Sequence, residues 1–529
     1  MSKYLFVLLN DENSVDYSGE WIGAAYISAY LKKNNIAEVD FIATSQNDFV
    51  GVLTKCQETK PDFIGIPVLT FNYIAVKKLV ALLKKEFPKT CIILGHREAT
   101  KLKRTILEDI QADICMFGEG EITTAELIEA KKQNKDLSTV AGICYRNNDE
   151  IVQNVAREDI ADLDSLPFPD RTIVAKGKYH NHVHYVISTR GCKGNCSFCD
   201  IASDLDRKKI IFSRSMDNIL DEIEEILSFH KDAYIAFGDD SFEDGDMKKN
   251  KRYKDLYEGI IKRGLKFNFS FNARAESIKK DTIPYLLNLK KIGLDKIFIG
   301  IDSGNEEDLR LYRKRANLQD NENAIRLLQK ANIPFDYGFI MFNPYTTIDK
   351  LKKNIDFIER NNIPIKSHVL SHRFVLYTGA PMLLHVKKDN LLIEDLFNKK
   401  EPFCYNFLNA KIQNIWEILH EFRDWPANRD TISMVEGFIN SLDKNDLIDD
   451  FDDFKSAYEE YLKKSRNLFI EIFKYTINSI VNNKPISTHD IKNVFSVEID
   501  NIKYLWEKTY KLNLLYGIKI ERKRRLKDD

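Results

Sequence analysis

Residues 188–200, STRGCKGNCSFCD, hold three of the eight cysteines in the chain. Cys192, Cys196 and Cys199 stand in Cys-x-x-x-Cys-x-x-Cys spacing on one short loop. Three thiolates so placed can each take one iron of a cubane and leave the fourth iron without a protein ligand. An electron-transfer cluster is normally held by four cysteines, and no fourth is near, so the expectation is an open iron available to a ligand. Gly191 and Gly194 admit the unusual backbone angles such a loop needs. Structural zinc is the competing reading, but it asks for four closed ligands, usually as two pairs. Asp200 is adjacent yet ill placed to close a tetrahedron, while His180, His182 and His184 alternate as strand residues do. Three cysteines clustered by chance is the blandest alternative.

Outward from the loop, strand-like and helix-like segments alternate. HVHYVISTRG, AYIAFGDD, KFNFSFNA, KIFIGIDSG, PFDYGFIMFN and SHVLSHRFVLY are six candidate strands. Between them lie amphipathic segments such as SMDNILDEIEEILSF and TIDKLKKNIDFIERN. Six β/α units predict an open or partial barrel over 182–387, with ligands gathered at the carboxyl edge of the strands. Upstream, YLFVLLN, EVDFIATS, DFIGIPVLT, CIILG and ICMFGEGE alternate with helical patterns. Continuous apolar strands argue a parallel sheet covered on both faces, here a five-stranded doubly wound domain over 1–140. The segment 141–181, with Pro167 and Pro169, reads as a linker. Beyond 388 only helical segments with aromatic stripes remain, so 388–529 is expected to be a helical C-terminal domain.

Bulk composition narrows the classes. Length alone argues for more than one domain. Seventy-nine basic residues against 80 acidic ones leave a net charge of -1, which gives no global pull on nucleic acid. The basic run ERKRRLKDD reads as a solvated tail. No stretch approaches a membrane span, and MSKYLFVLLNDENS reads as a buried strand instead of a signal peptide. Thinly spread cysteines argue a reduced, cytoplasmic setting.

With its aromatic position at Phe198, the loop resembles the signature of the radical S-adenosylmethionine superfamily. AYIAFGDDSF, ARAESI, IFIGIDSGNEEDL and YGFIMFNPYTT resemble that family's later strand ends. The resemblance implies a [4Fe-4S] cluster on Cys192, Cys196 and Cys199, with S-adenosylmethionine chelating the open iron and being cleaved to a 5′-deoxyadenosyl radical. It implies that Asp239 and Asp240 meet the ammonium group, that Arg274 is a strand-end arginine, and that Asp302 and Ser303 face the ribose or carboxylate. It also implies that Ile340 and Phe342 lie against the adenine. The family more often has Glu where Asp302 stands. The aspartates are equally suited to capping the helices that follow, and Arg274 to a structural ion pair.

The first domain resembles the cobalamin-binding domain of one large branch of that superfamily. CIILGHREAT and ADICMFGEGEITTAELI carry the likeness, which implies a nucleotide tail near Thr70, Gly95, Gly118, Glu119, Gly120 and Glu121. Two departures stand out: His96 follows Gly95 where the family has a second glycine, and no Asp-x-His-x-x-Gly supplies a lower axial histidine. Ligation of cobalt by His96 is the minor alternative to a hydrogen-bonding role in the loop. The implied activity is hydrogen abstraction from an unactivated carbon, most simply for C-methylation, otherwise for cyclisation, rearrangement or oxidation. The implied partners are a small-molecule or peptide substrate and an external reductant such as flavodoxin or ferredoxin. A methylthiotransferase would need a second cysteine triad in the first domain, where Cys91 and Cys115 read as inert strand thiols. A non-catalytic iron–sulfur redox sensor is the reading from another class.

Overall fold

A computed structural model describes residues 1–10, 21–148, 150–172, 183–201, 211–245, 250–363, 369, 371–393, 403–422 and 451–528. The chain divides into two compact units. The first is Met1–Asn272 with Lys291–Gly293 and Leu376–Cys404; the second is Ala273–Lys290 with Leu294–Val375 and Tyr405–Asp529.

The first unit opens with a sheet built on its most apolar run. Strand β1 (Ser2–Asn10) pairs in parallel with β2 (Ala37–Ser45) and β3 (Phe63–Pro67), and β4 (Cys91–Gly95) and β5 (Ile114–Met116) continue outward. The order β2-β1-β3-β4-β5 is a doubly wound topology, and its connections are α1 (Ile22–Lys33), α2 (Phe49–Thr59), α3 (Tyr73–Glu86), and α4 (His96–Leu102) with α5 (Arg104–Asp109). Strand alternation divides β1 between two faces. Tyr4, Phe6 and Leu8 enter one core with α1 and with α6 (Glu121–Lys132), while Leu5, Val7 and Leu9 are equally buried on the other side.

The linker is more structured than its sequence suggests. β6 (Ile143–Asn147) pairs antiparallel with β5, and β7 (Glu150–Gln153) pairs antiparallel with β6, so the expected five-stranded sheet has seven strands. The Pro167–Pro169 stretch then runs against α1, where the Asp170 N–H donates to the Ala25 carbonyl at 3.0 Å and its carboxylate receives Ser28 and Lys32.

The second β/α series begins in the same unit. β8 (Val183–Val186), β11 (Tyr234–Phe237) and β12 (Asn268–Arg274) run parallel through α7 (Met216–Phe229) and α8 (Lys251–Arg263). A small antiparallel ribbon, β9 (Thr189–Arg190) with β10 (Phe212–Ser213), frames the cysteine loop. Ser215 caps α7 by accepting the Asn218 N–H, and Ile219, Leu220, Ile223 and Ile226 form its buried stripe.

In the second unit β13 (Leu294–Asp302) pairs in parallel with β14 (Phe335–Phe339), with a register shift between Gly300 and Asp302. Helices α9 (Ile283–Lys291), α10 (Glu306–Leu311), α11 (Leu318–Lys330) and α12 (Ile348–Arg360) complete the repeating pattern. The sixth expected strand contributes, among its described residues, a single parallel bridge between Phe342 and Arg373. After α13 (Pro381–Lys388), which belongs to the first unit, the elements among the described residues are helices: α14 (Ala410–His420), α15 (Phe451–Val481), α16 (Thr488–Val494) and α17 (Ser496–Asp528). Tyr461 of α15 meets Trp506 of α17 with ring centroids 5.0 Å apart, so part of the expected aromatic stripe is packing. Among the described residues no helix is long and apolar enough to cross a membrane.

Candidate cofactor site

The first unit encloses a cavity of about 750 Å³ at the carboxyl edge of its sheet. Its floor is the sheet face bearing Tyr4, Phe6, Gly65, Ile93 and Met116, and Trp21 and Ile27 of the α1 region form a wall. Gly65 is required here by close approach: an added Cβ would sit 2.2 Å from the Tyr4 hydroxyl. Gly95 and Gly118 line the rim, and a Cβ on either would meet nothing within 4 Å, which leaves their backbone open to a ligand. Gly118 has φ +81°, a conformation natural to glycine. A cleft with an apolar floor and glycine-lined turns, at the end of parallel strands, fits a large ligand with a nucleotide-like tail.

His96 also lines this cavity, at φ +74° and with its ring edge-on to Trp21. Burial, with Arg97 and Lys101 beside it, pushes the imidazole down to about 3, so it is neutral at physiological pH. Thr70 does not line the cavity; its hydroxyl donates to Glu98 at 2.6 Å. Gly120 closes against Ile27, where a Cβ would come within 2.6 Å of its Cδ1. Glu119 and Glu121 line the cavity and also receive Arg190, at 2.9 and 2.6 Å. Burial opposes the Arg190 charge, but the two glutamates outweigh it and hold its pKa above the usual value.

The cysteine loop follows directly. Cys192, Cys196 and Cys199 are half-buried, and none of the eight cysteines is in a disulfide. The Gly194 N–H donates to Cys192 Sγ at 3.2 Å, and a Cβ on Gly194 would lie 3.2 and 3.7 Å from the Cys192 and Cys196 sulfurs. The absence of a side chain at Gly194 thus lets two sulfurs turn to the same side of the loop. Among the described residues no three His, Cys, Asp or Glu side chains converge on one ion. A cubane asks for something different, because each thiolate takes its own iron. Phe198 is half-buried, and the neighbouring Ser197 carbonyl accepts the Met382 N–H of α13 at 3.0 Å. His184 pairs its Nε2 with His230 Nδ1 at 3.0 Å; His180 and His182 lie outside the described residues.

The two strand-end aspartates have different surroundings. Asp239 is 1% exposed, and its carboxylate accepts the N–H groups of Ser188 and Thr189 at 2.7 Å each and the Ser188 hydroxyl. Burial raises its pKa, against the pull of Arg252 and these donors. Asp240 lines the cavity together with Gly191, Gly238 and Asn272.

The remaining expected residues lie in the second unit. Arg274 pairs with Glu276 at 2.9 Å. Asp302 has φ +60° and pairs with Lys314 at 2.6 Å. Ser303 is fully buried in a network with Asn305 and Asn354. Phe342 is fully buried, its ring near Phe407 and Phe473, and Ile340 is 7% exposed. Asp302 and Ser303 therefore have protein partners, and the Phe342 ring has no face open to a ligand. Sequence reading missed Arg190, Arg97 and Lys101 and weighed Asp200 only as a zinc ligand, because the partners of all four are distant in the chain.

A doubly wound domain with a glycine-rimmed cleft, followed by β/α units that start with a three-cysteine loop, defines a radical S-adenosylmethionine protein with a cobalamin-type first domain. Comparison with known proteins agrees. Residues 186–358 match the radical SAM superfamily and residues 13–128 match the B12-binding domain. The chain belongs to the radical S-adenosylmethionine superfamily, in the branch that carries a cobalamin-binding domain. A radical SAM domain is one that holds a [4Fe-4S] cluster with S-adenosylmethionine, and a B12-binding domain one that holds cobalamin.

The sequence is 26% identical over 364 residues to 4'-phospho-dehydrooxetanocin synthase of Priestia megaterium, an alignment covering 64% of this chain and 48% of that protein. It is 22% identical over 399 residues to an uncharacterized methyltransferase of Pyrococcus horikoshii, covering 74% and 84%. The chain thus spans about half the length of the synthase. The solved structure of the cobalamin-dependent S-adenosylmethionine radical enzyme OxsB with aqua-cobalamin bound superposes with a TM-score of 0.74. That match covers 99% of this chain and 84% of OxsB at 19% identity, a likeness of fold.

Proposed function

We propose that this protein is an enzyme that abstracts hydrogen from an unactivated carbon and, in its simplest use, methylates that carbon. The observation that carries the reading is one cavity lined both by the glycine turns of the B12-binding domain and by residues beside the cysteine loop, Arg190, Gly191 and Asp200. When bound, the cluster with S-adenosylmethionine supplies a 5′-deoxyadenosyl radical, and cobalamin supplies methyl transfer to carbon.

The chain's own part is holding and shielding. Cys192, Cys196 and Cys199 are assigned to the cluster. Gly95, Gly118 and Gly120 are assigned to the nucleotide tail, with Tyr4 and Phe6 beneath it as an apolar floor that excludes water. Of the strand-end aspartates, Asp240 is assigned to the ligand and Asp239 to the backbone of the loop. Asp302, paired with Lys314, is assigned to the fold of the second unit, and Ile340 keeps its assignment to S-adenosylmethionine. The domain boundaries we propose are 1–140, with the β6–β7 hairpin of the 141–181 linker joined to its sheet, then 182–387 and 388–529. The proposed setting is cytoplasmic, with a small-molecule or peptide substrate and an electron donor such as flavodoxin or ferredoxin. Likeness to a protein named a synthase and not a methyltransferase favours a second reading, in which the same radical forms a product without methyl transfer.

Anaerobic incubation of the reconstituted chain with S-adenosylmethionine and dithionite tests the proposal. Formation of methionine and 5′-deoxyadenosine is expected. Intact S-adenosylmethionine beside a reduced cluster would contradict it.

A further inference from the structure

The residues flanking the three-cysteine loop carry opposite charges, and each meets two opposite charges from a different turn of the first domain. Ahead of the loop, Arg190 donates from Nη1 to Glu119 at 2.9 Å and from Nη2 to Glu121 at 2.6 Å, with its guanidinium over the Tyr26 ring. Behind it, Asp200 pairs with Arg97 at 3.1 Å and with Lys101. Glu119 comes from the turn after β5 and Glu121 from the first position of α6; Arg97 and Lys101 come from α4, just after Gly95. All six residues line the same cavity. Glu119, Glu121 and Lys101 are each no more than 7% exposed, so these are not surface pairs that solvent would screen. Removing one partner would leave a buried charge uncompensated. The two groups of three carry net charges of opposite sign, so the loop is held at both ends without net charge.

We propose that Arg190 and Asp200 are positioning residues that make the placement of the cluster loop depend on what fills the cavity. A ligand there touches the same turns that hold the two ends of the loop. By linkage, cobalamin in the cavity then changes the affinity of the loop for S-adenosylmethionine, and S-adenosylmethionine changes the affinity for cobalamin by the same factor. Charge and hydrogen bonding around the loop also tune the cluster itself. The inference rests on the assignment of cobalamin to this cavity and of the cluster to the three cysteines.

The test is the dissociation constant of S-adenosylmethionine on the anaerobically reconstituted full chain, with and without hydroxocobalamin. In the wild type, cobalamin is expected to tighten binding about tenfold. In Glu119→Gln/Glu121→Gln and in Asp200→Asn that factor is expected to fall towards one, with iron content and far-UV circular dichroism unchanged. Arg190→Lys, which keeps the charge but loses the fork, is expected to retain part of it. The electron paramagnetic resonance spectrum of the reduced cluster should shift on cobalamin addition in the wild type only. An unchanged coupling factor in both the glutamate and the aspartate variants would overturn the inference, and either variant decides it alone if the other does not fold. No coupling in a wild-type chain that holds both cofactors would also overturn it. A wild-type chain that holds iron but no cobalamin would instead remove the underlying assignment, and the inference with it.

Discussion

Asp239 accepts the backbone N–H of Ser188 at 2.7 Å, while Asp240, the next residue, lines the cavity. Two adjacent carboxylates therefore have separable duties. Asp239 carries the entry of the cysteine loop, since Thr189 and the Ser188 hydroxyl also donate to it, and Arg252 donates to the Ser188 carbonyl at 3.2 Å and to its hydroxyl. Asp239→Ala leaves two buried N–H groups without their acceptor and the Arg252 charge without a neighbouring carboxylate, and should cost about 2–4 kcal/mol. Asp240→Ala should change stability by less than about 1 kcal/mol and weaken S-adenosylmethionine binding instead. Urea unfolding and a titration with the cofactor separate the two. Equal destabilisation by both would remove the distinction.

His96 stands at φ +74°, where a non-glycine residue carries about 1–2 kcal/mol of strain. His96→Gly restores a glycine pair after β4. Relief of strain less the added freedom of the unfolded chain predicts a gain of up to about 1 kcal/mol. Retained cobalamin binding, and cob(II)alamin resonance without splitting from an imidazole nitrogen in the wild type, are expected if the ring lines the pocket without ligating cobalt. Nitrogen splitting that disappears in the glycine variant would assign His96 as the axial ligand.

Gly118→Ala tests the rim. Its φ of +81° predicts a loss of about 1–2 kcal/mol from backbone strain, although a Cβ would meet no atom. Because the new methyl projects into open space at the rim, cobalamin affinity should fall as well. Full affinity in the variant would place the nucleotide tail elsewhere.

Asp170 ties the linker to α1 and gives a pH dependence of known sign. Burial raises its pKa, but Lys32, Ser28 and Thr172 outweigh that and hold it below the ordinary value of 3.8. A depressed carboxyl pKa contributes stability that is full above the unfolded value and is lost as pH falls through the folded one. The first unit should therefore lose stability below about pH 4 by this route. Asp170→Asn should flatten that acid limb in urea titrations between pH 6 and 3. An acid limb identical to wild type would show that this contact contributes nothing.

Much of the fold was legible because burial writes long patterns. The run YLFVLLN became β1, and the Cys-x-x-x-Cys-x-x-Cys spacing marked the loop. The β6–β7 hairpin was not legible, since its strands are short and partly exposed, with little to separate them from a polar connector. The sixth barrel strand read as apolar alternation, yet its described residues pair only through Phe342 and Arg373. The site was legible where one residue type carries the chemistry, as at the cysteines and at Gly118. It was not legible where the chemistry is a long-range pair. Arg190 lies 71 residues from Glu119, and no local pattern announces that contact. Nor does strand-end position separate Asp239 from Asp240; only the fold decides which side chain turns inward.

Iron, sulfide and cobalt analysis of the anaerobically purified chain, supplied with cobalamin, beside the Cys192→Ala/Cys196→Ala/Cys199→Ala variant, tests whether the three cysteines hold the cluster. About four irons and four sulfides are expected in the wild type, with cobalt in both proteins and no cluster iron in the variant. Full iron and sulfide in the triple variant would contradict that assignment.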